Sequence, residues 1–311
     1  MKNFFNKKKV LITGATGLVG GHVAEQLLKA GAKLYTLSRK PNKNSYFFKK
    51  KLNSKAANFT CDILDLRRLQ KIILENKIEY IFHLAAQLKL VSLYQTFGFN
   101  TMGTNNILEA CRHSKHTKGI VLASSNRAAY VELGLSSADM QKLAANPYDV
   151  SKIASELIAK NYAKAYNLPT IICRFGNVYG PGDLQKRIIP TLIKCAEEKK
   201  NFAITVKPSR RNYVYATDIA EGLLKAAESM KRLGSKDINF ETADNYTVEE
   251  MIKKIHSVLG LEVPNTVLPN RAKEIELKKL TTNLASRLIG WKPKVKMNTG
   301  LKLTYNWYKQ A

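Results

Sequence analysis

The sequence predicts an α/β chain, a doubly wound parallel sheet with a smaller C-terminal part interleaved with it. Three observations lead there. A short apolar run, Val10 to Ile12, precedes glycines at Gly14, Gly17 and Gly20 and then Val23, Leu27 and Leu28 at helical spacing. Further apolar runs alternate with amphipathic segments up to about residue 175. Beyond that point the alternation gives way.

With 311 residues, 45% of them apolar, the chain can fill one large or two smaller domains. No apolar run reaches the length of a membrane span. The basic start, Met1 to Lys9, leads straight into the first strand and is not a signal peptide, so a cytoplasmic location is expected. Cys61, Cys111, Cys173 and Cys195 form no C-x-x-C pair and read as buried thiols. His113 and His116 lack a metalloprotease pattern, and no metal is expected. The net charge of +27, from 51 Lys and Arg against 24 Asp and Glu, favours polyanionic partners. Its densest stretch, Arg39 to Lys55, contains no acid. A solvated lysine-rich surface is the simpler account of charge spread along the whole chain.

Strand, tight turn and helix in that order make the first segment a dinucleotide site. Glycines let the backbone turn and approach a ligand, and the helix directs its free amides at a pyrophosphate. Gly14, Thr16, Gly17, Leu18, Val19 and Gly20 are its candidate residues, in a Rossmann-type arrangement. The second strand, Lys33 to Leu37, ends at Ser38-Arg39. No acid stands at this corner, and an Arg there can pair with the 2′-phosphate of NADP, while Ser38 can serve the plain ribose of NAD. Next comes Phe59 to Ile63, with Asp62 placed for the adenine amino group, Ile63 beside it, and Asp65 capping the helix through Leu66, Leu69 and Ile73. Tyr80 to Gln87 is the fourth strand. Its small end, Leu84-Ala85-Ala86, lets the chain pass close to the cofactor. Asn100 to Asn106 opens a helix continuing through Ile107, Leu108 and Ala110.

The fifth strand, Ile120 to Ser125, leads into Asn126-Arg127 and a polar loop. Asn146-Pro147 then starts a helix, because Asn caps well and Pro suits the first turn. Tyr148 and Lys152 lie four apart on one face of it. A phenol is a poor base at neutral pH, but a neighbouring ammonium stabilises its phenolate and is expected to lower its pKa. Lys152 supplies that charge and can hold the nicotinamide ribose. Ser125 adds a hydrogen bond to the substrate oxygen. Together the three remove a proton from a substrate hydroxyl while hydride leaves its carbon.

With these residues in place, the chain resembles the extended short-chain dehydrogenase/reductase superfamily, the NAD-dependent epimerase/dehydratase type. The resemblance extends to Arg174 through Gly182, like R-x-x-N-V-Y-G-P, to Arg211 through Ala220, and to Gly290-Trp291-Lys292-Pro293. It implies a D-x-x-D pair in Asp62 and Asp65, a structural role for Asn100, and a cofactor contact from Val178. It implies substrate contacts from Gln87, Lys89, Asn177, Arg187 and Arg211, with the arginines on a nucleotide diphosphate. It also implies a dinucleotide domain over 1–175, to which 212–232 returns, a substrate domain over 176–311, and a homodimer through the helices Met102 to Arg112 and Tyr148 to Tyr166.

Within that branch the nucleotide-sugar 4,6-dehydratases of the CDP-glucose type look nearest. His83 to Gln87, Met102-Gly103-Thr104, Ser125-Asn126-Arg127 and Lys186 to Pro190 resemble segments of those enzymes. A dehydratase needs an acid after the Ser, where this chain has Asn126 and then Arg127, neither of which is a general acid. A nucleotide-sugar 4,6-dehydratase is the expected activity, with Asn126 and Arg127 at its active site. A 4-epimerase or an NADPH-dependent 4-keto-sugar reductase is the alternative. Of another class, a non-catalytic Rossmann-type fold binding nucleic acid or another anion would use the charge, but leaves Ser125, Tyr148 and Lys152 without purpose.

Overall fold

A computed structural model describes residues 4–88, 92–129, 137–184, 187–206, 209–272 and 283–310. The strands are β1 (Lys9–Thr13), β2 (Lys33–Ser38), β3 (Ala56–Thr60), β4 (Tyr80–His83), β5 (Gly119–Ser125), β6 (Thr170–Phe175), β7 (Asn177–Tyr179), β8 (Phe202–Val206), β9 (Arg211–Tyr215), β10 (Asp237–Phe240), β11 (Asn245–Tyr246) and β12 (Asn265–Ala272). Seven of them form one parallel sheet in the order β10-β6-β5-β4-β1-β2-β3. Strand order therefore reverses beside β1, and such a switch point opens a crevice at the carboxyl ends of the strands. The predicted fold is the observed one.

The early helices are α1 (Leu18–Lys29), α2 (Tyr46–Lys49), α3 (Leu66–Glu75), α4 (Leu93–Phe97) and α5 (Gly103–Arg112). After β5 come α6 (Asn126–Ala129), α7 (Ser137–Ala144), α8 (Pro147–Tyr166), α9 (Ile188–Glu197) and α10 (Ala216–Leu233). The last three are α11 (Val248–Leu259), α12 (Asn283–Ile289) and α13 (Met297–Gln310). Alternation along β1 explains the two layers of helices. Val10 and Ile12 face one side, where they join Val23 and Leu27 of α1 and Leu223 and Ala227 of α10. Leu11 faces the other, with Leu69 and Ile73 of α3, Ile107 of α5 and Ala159 of α8. Each fully buried Leu or Ile contributes roughly 1.5–3 kcal/mol by leaving water. A third cluster, around Tyr179, Leu192, Met251, Ile255 and Leu301, is the core of the smaller part.

Local chemistry sets the helix starts. Asp65 accepts the Arg68 amide at 3.0 Å, and Asn146 accepts those of Tyr148 and Asp149 ahead of α8, with Pro147 in the first turn. Thr247 and Glu250 form a capping box on α11. The segment after Gly290 is anchored on α10: Trp291 donates its indole N–H to the Asp218 carbonyl at 2.7 Å, and the Asp218 carboxylate accepts the amides of Lys294 and Val295.

Some expectations need correction. Asp237–Phe240, assigned to the substrate part, pairs with β6 as the edge strand of the main sheet. Four residues alternating in and out are too short for a period to be read. Residues 212–215 belong to the smaller sheet, Asn212 pairing with β11 and 213–215 with β7, so the chain turns back at Ala216. Strand β3 stops at Thr60, ahead of Cys61 to Ile63, and Asn100 lies in a π turn, Gly98–Met102, that precedes α5. Cys61, Cys111 and Cys173 are buried, Cys195 is partly so, and all four are free thiols. Among the described residues no helix is long and apolar enough to cross a membrane.

Two buried histidines make the fold sensitive to acid. His22 bonds the Pro181 carbonyl at 3.0 Å, and burial pushes its pKa down to about 4. His83 lies between Thr13 and Thr104, and burial, with the Lys152 charge beside it, pushes it down to about 3. The unfolded chain protonates both near pH 6.5 while the folded chain keeps them neutral, so stability falls as pH drops below 6.5. Each site costs about 2 kcal/mol by pH 5. Urea unfolding should give a midpoint that falls steeply from pH 7 to 5, with His22→Gln losing about half of that slope. Equal slopes for the two proteins would refute the assignment.

Candidate active site

The glycine turn lies at the switch point. Gly14 has φ of 80°, and a Cβ there would sit 2.8 Å from the Ala85 amide nitrogen. A Cβ on Gly20 would run into the Gly14 carbonyl oxygen and within 2.8 Å of the Ala15 Cα. Only glycine permits this packing of α1 on the turn. Helix α1 begins at Gly17 with no side-chain cap, which leaves its first-turn amides directed into the crevice, the donor set a pyrophosphate requires. Thr16, Leu18 and Val19 line the same cleft, which holds about 1890 Å³. The cradle fits a dinucleotide.

Ser38, Arg39 and Ile63 line one end of the cleft. The Arg39 guanidinium stacks on Phe99, 4.4 Å from the ring centre, and stands 3.8 Å from Asp62. Asp62 lies behind Arg39 rather than among the walls and accepts the Leu64 amide at 3.0 Å. Sequence reading missed Phe99. An aromatic two residues past the end of α4, beside Asn100, was the available signal. Leu84, Ala85, Ala86 and Gln87 form the floor. Asn100 holds that floor in place, accepting the Gln87 amide at 2.6 Å and donating to the Gln87 carbonyl at 3.2 Å and to Ser151 on α8 at 2.9 Å.

At the other end stand Ser125, Tyr148 and Lys152. Ser125 closes β5, and its Oγ accepts the Arg127 amide at 3.2 Å. Tyr148 is half-buried in the first turn of α8. Lys152 is buried one turn on, donating its Nζ to the Ala123 carbonyl at 2.8 Å, 6.0 Å from the Tyr148 ring centre. The expected lowering of the Tyr148 pKa is not what this arrangement yields. Desolvation pushes the hydroxyl up to about 12, with the Asp149 charge adding and Arg187 and Arg127 opposing. Burial likewise pushes Lys152 down to about 8, against the pull of Glu156. With its ammonium turned to Ala123, Lys152 does not offset the loss of water around the phenol.

Asn126 and Arg127 open α6 at the same end. The Asn126 amide lies beside Gly176, and Arg127 Nε donates to Asp149 Oδ2 at 2.7 Å. Asp149 was not anticipated. Its position next to Tyr148 was the signal, hidden because Y-x-x-x-K leaves that place unspecified. The opposite wall carries Asn177, Val178, Arg187 and Arg211. Asn177 donates to the Asn212 carbonyl at 3.4 Å, and Arg187 bonds the Val178 carbonyl and pairs with buried Asp183 at 3.6 Å. Arg210 pairs with Glu250 on the surface. Lys89 and Lys186 lie outside the described residues.

Gly20→Ala forces a methyl into the Gly14 carbonyl. With a native far-UV CD spectrum, the variant should bind NAD or NADP at least tenfold more weakly in a fluorescence titration. Unchanged affinity would put the dinucleotide elsewhere.

Known proteins match this chain over nearly its whole length. It is 26% identical to the dTDP-D-glucose 4,6-dehydratase of Homo sapiens over 97% of this chain and 90% of the human one. It is 28% identical to the UDP-glucuronate 4-epimerase of Thermodesulfobacterium geofontis over 96% of both chains. Among solved structures, the UDP-glucuronic acid 4-epimerase of Bacillus cereus, crystallised with UDP-glucuronic acid and NAD, superposes with a TM-score of 0.84 at 25% identity, covering 97% of this chain and 99% of that one. The model of the NAD dependent epimerase/dehydratase family matches residues 10–240, most of the chain and both ends of the cleft. The protein is an enzyme of the NAD dependent epimerase/dehydratase family.

Proposed function

We propose that this enzyme acts on a nucleotide-diphosphate hexose through reversible oxidation at C4, as a 4-epimerase. The observation that carries this is the meeting of Ser125, Tyr148 and Lys152 at one end of a cleft whose other end is the uncapped start of α1. The bound dinucleotide, held by Gly14 to Gly20, Leu84 to Ala86 and Val178, supplies a reversible two-electron acceptor. Tyr148 takes the proton of the C4 hydroxyl, and Ser125 hydrogen-bonds the same oxygen. Tyr148 starts protonated, and the positive charges of Arg187 and Arg127 favour its phenolate as the proton leaves. The same proton returns when the ketone is reduced, so inversion needs no further acid.

Elimination of water would need one. Asn126 has no acidic proton, and Asp149, a carboxylate of the same cleft, is 1% exposed and bound to Arg127. That favours epimerisation over the dehydratase reading, which the human dehydratase relative supports. Asn177, Arg187 and Arg211 are the candidates for the diphosphate, and Gln87 for the sugar. The half-exposed Arg39 beside Ser38 supports acceptance of NADP as well as NAD. Exposed Met102, Leu157 and Tyr166 on and beside α5 and α8 support a homodimer through those helices.

Products from UDP-, dTDP-, CDP- and GDP-hexoses, with NAD and NADP supplied separately, should keep the substrate mass and carry an inverted C4. Loss of one water would establish the dehydratase instead. Tyr148→Phe should lower turnover at least a thousandfold while the dinucleotide still binds. Turnover retained in that variant would remove Tyr148 from its role.

A further inference from the structure

Helix α1 makes two kinds of contact. Its uncapped first turn faces the dinucleotide, and Leu18 lines that cleft. One turn on stands His22, buried and not among the cleft walls. Its Nε2 lies 3.0 Å from the carbonyl oxygen of Pro181, 159 positions later in the chain. A carbonyl only accepts, so Nε2 carries the proton and the ring is neutral, a tautomer assigned from that partner. Nδ1 is buried with no hydrogen-bond partner among the described residues. A leucine would fill the place without that loss, so what the imidazole adds is its one donor, aimed at Pro181.

The turn that receives this donor is held from two sides. Tyr46 of α2 packs on His22 with ring centres 4.0 Å apart, and its hydroxyl donates to Glu25 of α1 at 2.7 Å. Tyr46 also meets the turn itself, because Gly182 has φ of 86° and a Cβ there would sit 2.5 Å from the Tyr46 Cβ. From the other side Tyr308 of α13 donates its hydroxyl to the Asp183 carbonyl at 2.7 Å. The buried Asp183 carboxylate lies 3.6 Å from the Arg187 guanidinium, which also donates to the Val178 carbonyl at 3.2 Å. Arg187 itself lines the cleft. A path of short contacts therefore runs from the dinucleotide helix, around the outside of the cleft, to a guanidinium on its opposite wall.

We propose that His22 is a positioning residue for the nucleotide sugar: by holding the Pro181 carbonyl it seats the 180–183 turn on α1, and the seated turn sets Asp183 so that Arg187 meets the diphosphate. An arginine grips a diphosphate through paired hydrogen bonds that weaken steeply with distance and angle, so a turn that shifts misplaces both bonds at once. The helix that binds the dinucleotide thereby sets the wall that binds the substrate. This inference rests on the reading of Arg187 as a diphosphate ligand.

The test is calorimetry with UDP, dTDP, CDP and GDP on the protein saturated with NAD, the tightest of the four serving as the probe. His22→Leu should weaken the probe about tenfold and raise KM for the matching sugar while kcat stays within about twofold. His22→Met reads the same loss should His22→Leu not fold. His22→Gln restores a side-chain donor and should bind within about threefold of wild type. Arg187→Met should weaken the probe at least as much as His22→Leu, and the double variant should be no weaker than Arg187→Met alone, because the seat then has no guanidinium to place. Losses that multiply in the double variant, or equal losses in His22→Leu and His22→Gln, would mark a general loosening of the fold and overturn the proposal. Unchanged affinity in a folded His22→Leu would overturn it while leaving the diphosphate reading intact. Unchanged affinity in Arg187→Met, or no binding of any of the four, would overturn both.

Discussion

A run of buried hydrogen bonds ties the dinucleotide turn to the helix that carries Tyr148. The Ala85 amide donates to Thr13 Oγ1, which in turn bonds His83 Nδ1 at 2.7 Å; His83 Nε2 meets Thr104 Oγ1, and Thr104 donates to the Asn100 carbonyl at 2.7 Å. Asn100 then bonds Gln87 and Ser151 on α8. The directions are consistent only with His83 neutral and protonated on Nε2, a tautomer assigned from its partners. A second ring proton would leave Thr13 with nowhere to donate. Burial of His83 is therefore a constraint on geometry as well as on stability. Whatever sets β4 against β1 also sets Tyr148 against the cofactor turn.

The catalytic end stands on a second buried assembly. Arg174 is 2% exposed and donates from Nε to Glu156 at 2.9 Å and from its terminal nitrogen to Asp237 at 2.8 Å. Ser124 bonds the same Glu156, so β5, β6, β10 and α8 are joined through one guanidinium. Glu156 stands one turn beyond Lys152 and pulls against the desolvation that lowers the lysine pKa. Arg174, the first residue of a motif shared with the family, thus acts beneath the site and not in it. Nearer the cleft the same device recurs in smaller form, because Arg127 and Arg187 each lean on a buried aspartate, Asp149 and Asp183. Pinning a guanidinium from behind limits its rotamers before a ligand arrives.

Much of this was legible in the residues. Apolar runs identified β1, β4 and β5 because these are buried along nearly their whole length, and glycine spacing identified the turn because only glycine fits where Gly14 meets Ala85. Asp65, Asn146 and the Thr247–Glu250 pair declared their helices through local chemistry. What stayed hidden depends on contacts between distant segments. β10 has four residues and exists because β6 offers an edge. Asp149 gains its meaning from Arg127, 22 positions earlier, and Phe99 from Arg39. The Tyr148 pKa was misjudged for the same reason, since spacing alone brings Lys152 near but does not reveal that its ammonium is turned to Ala123.

On the proposed function, C4 of the sugar is oxidised and reduced within one cleft by way of Tyr148. The most direct test is the fate of a deuterium placed on C4 of the nucleotide sugar in ordinary water, followed by NMR of the product. A C4-inverted sugar with the deuterium still on C4 is expected. Loss of the label to water, or its appearance on another carbon, would contradict it.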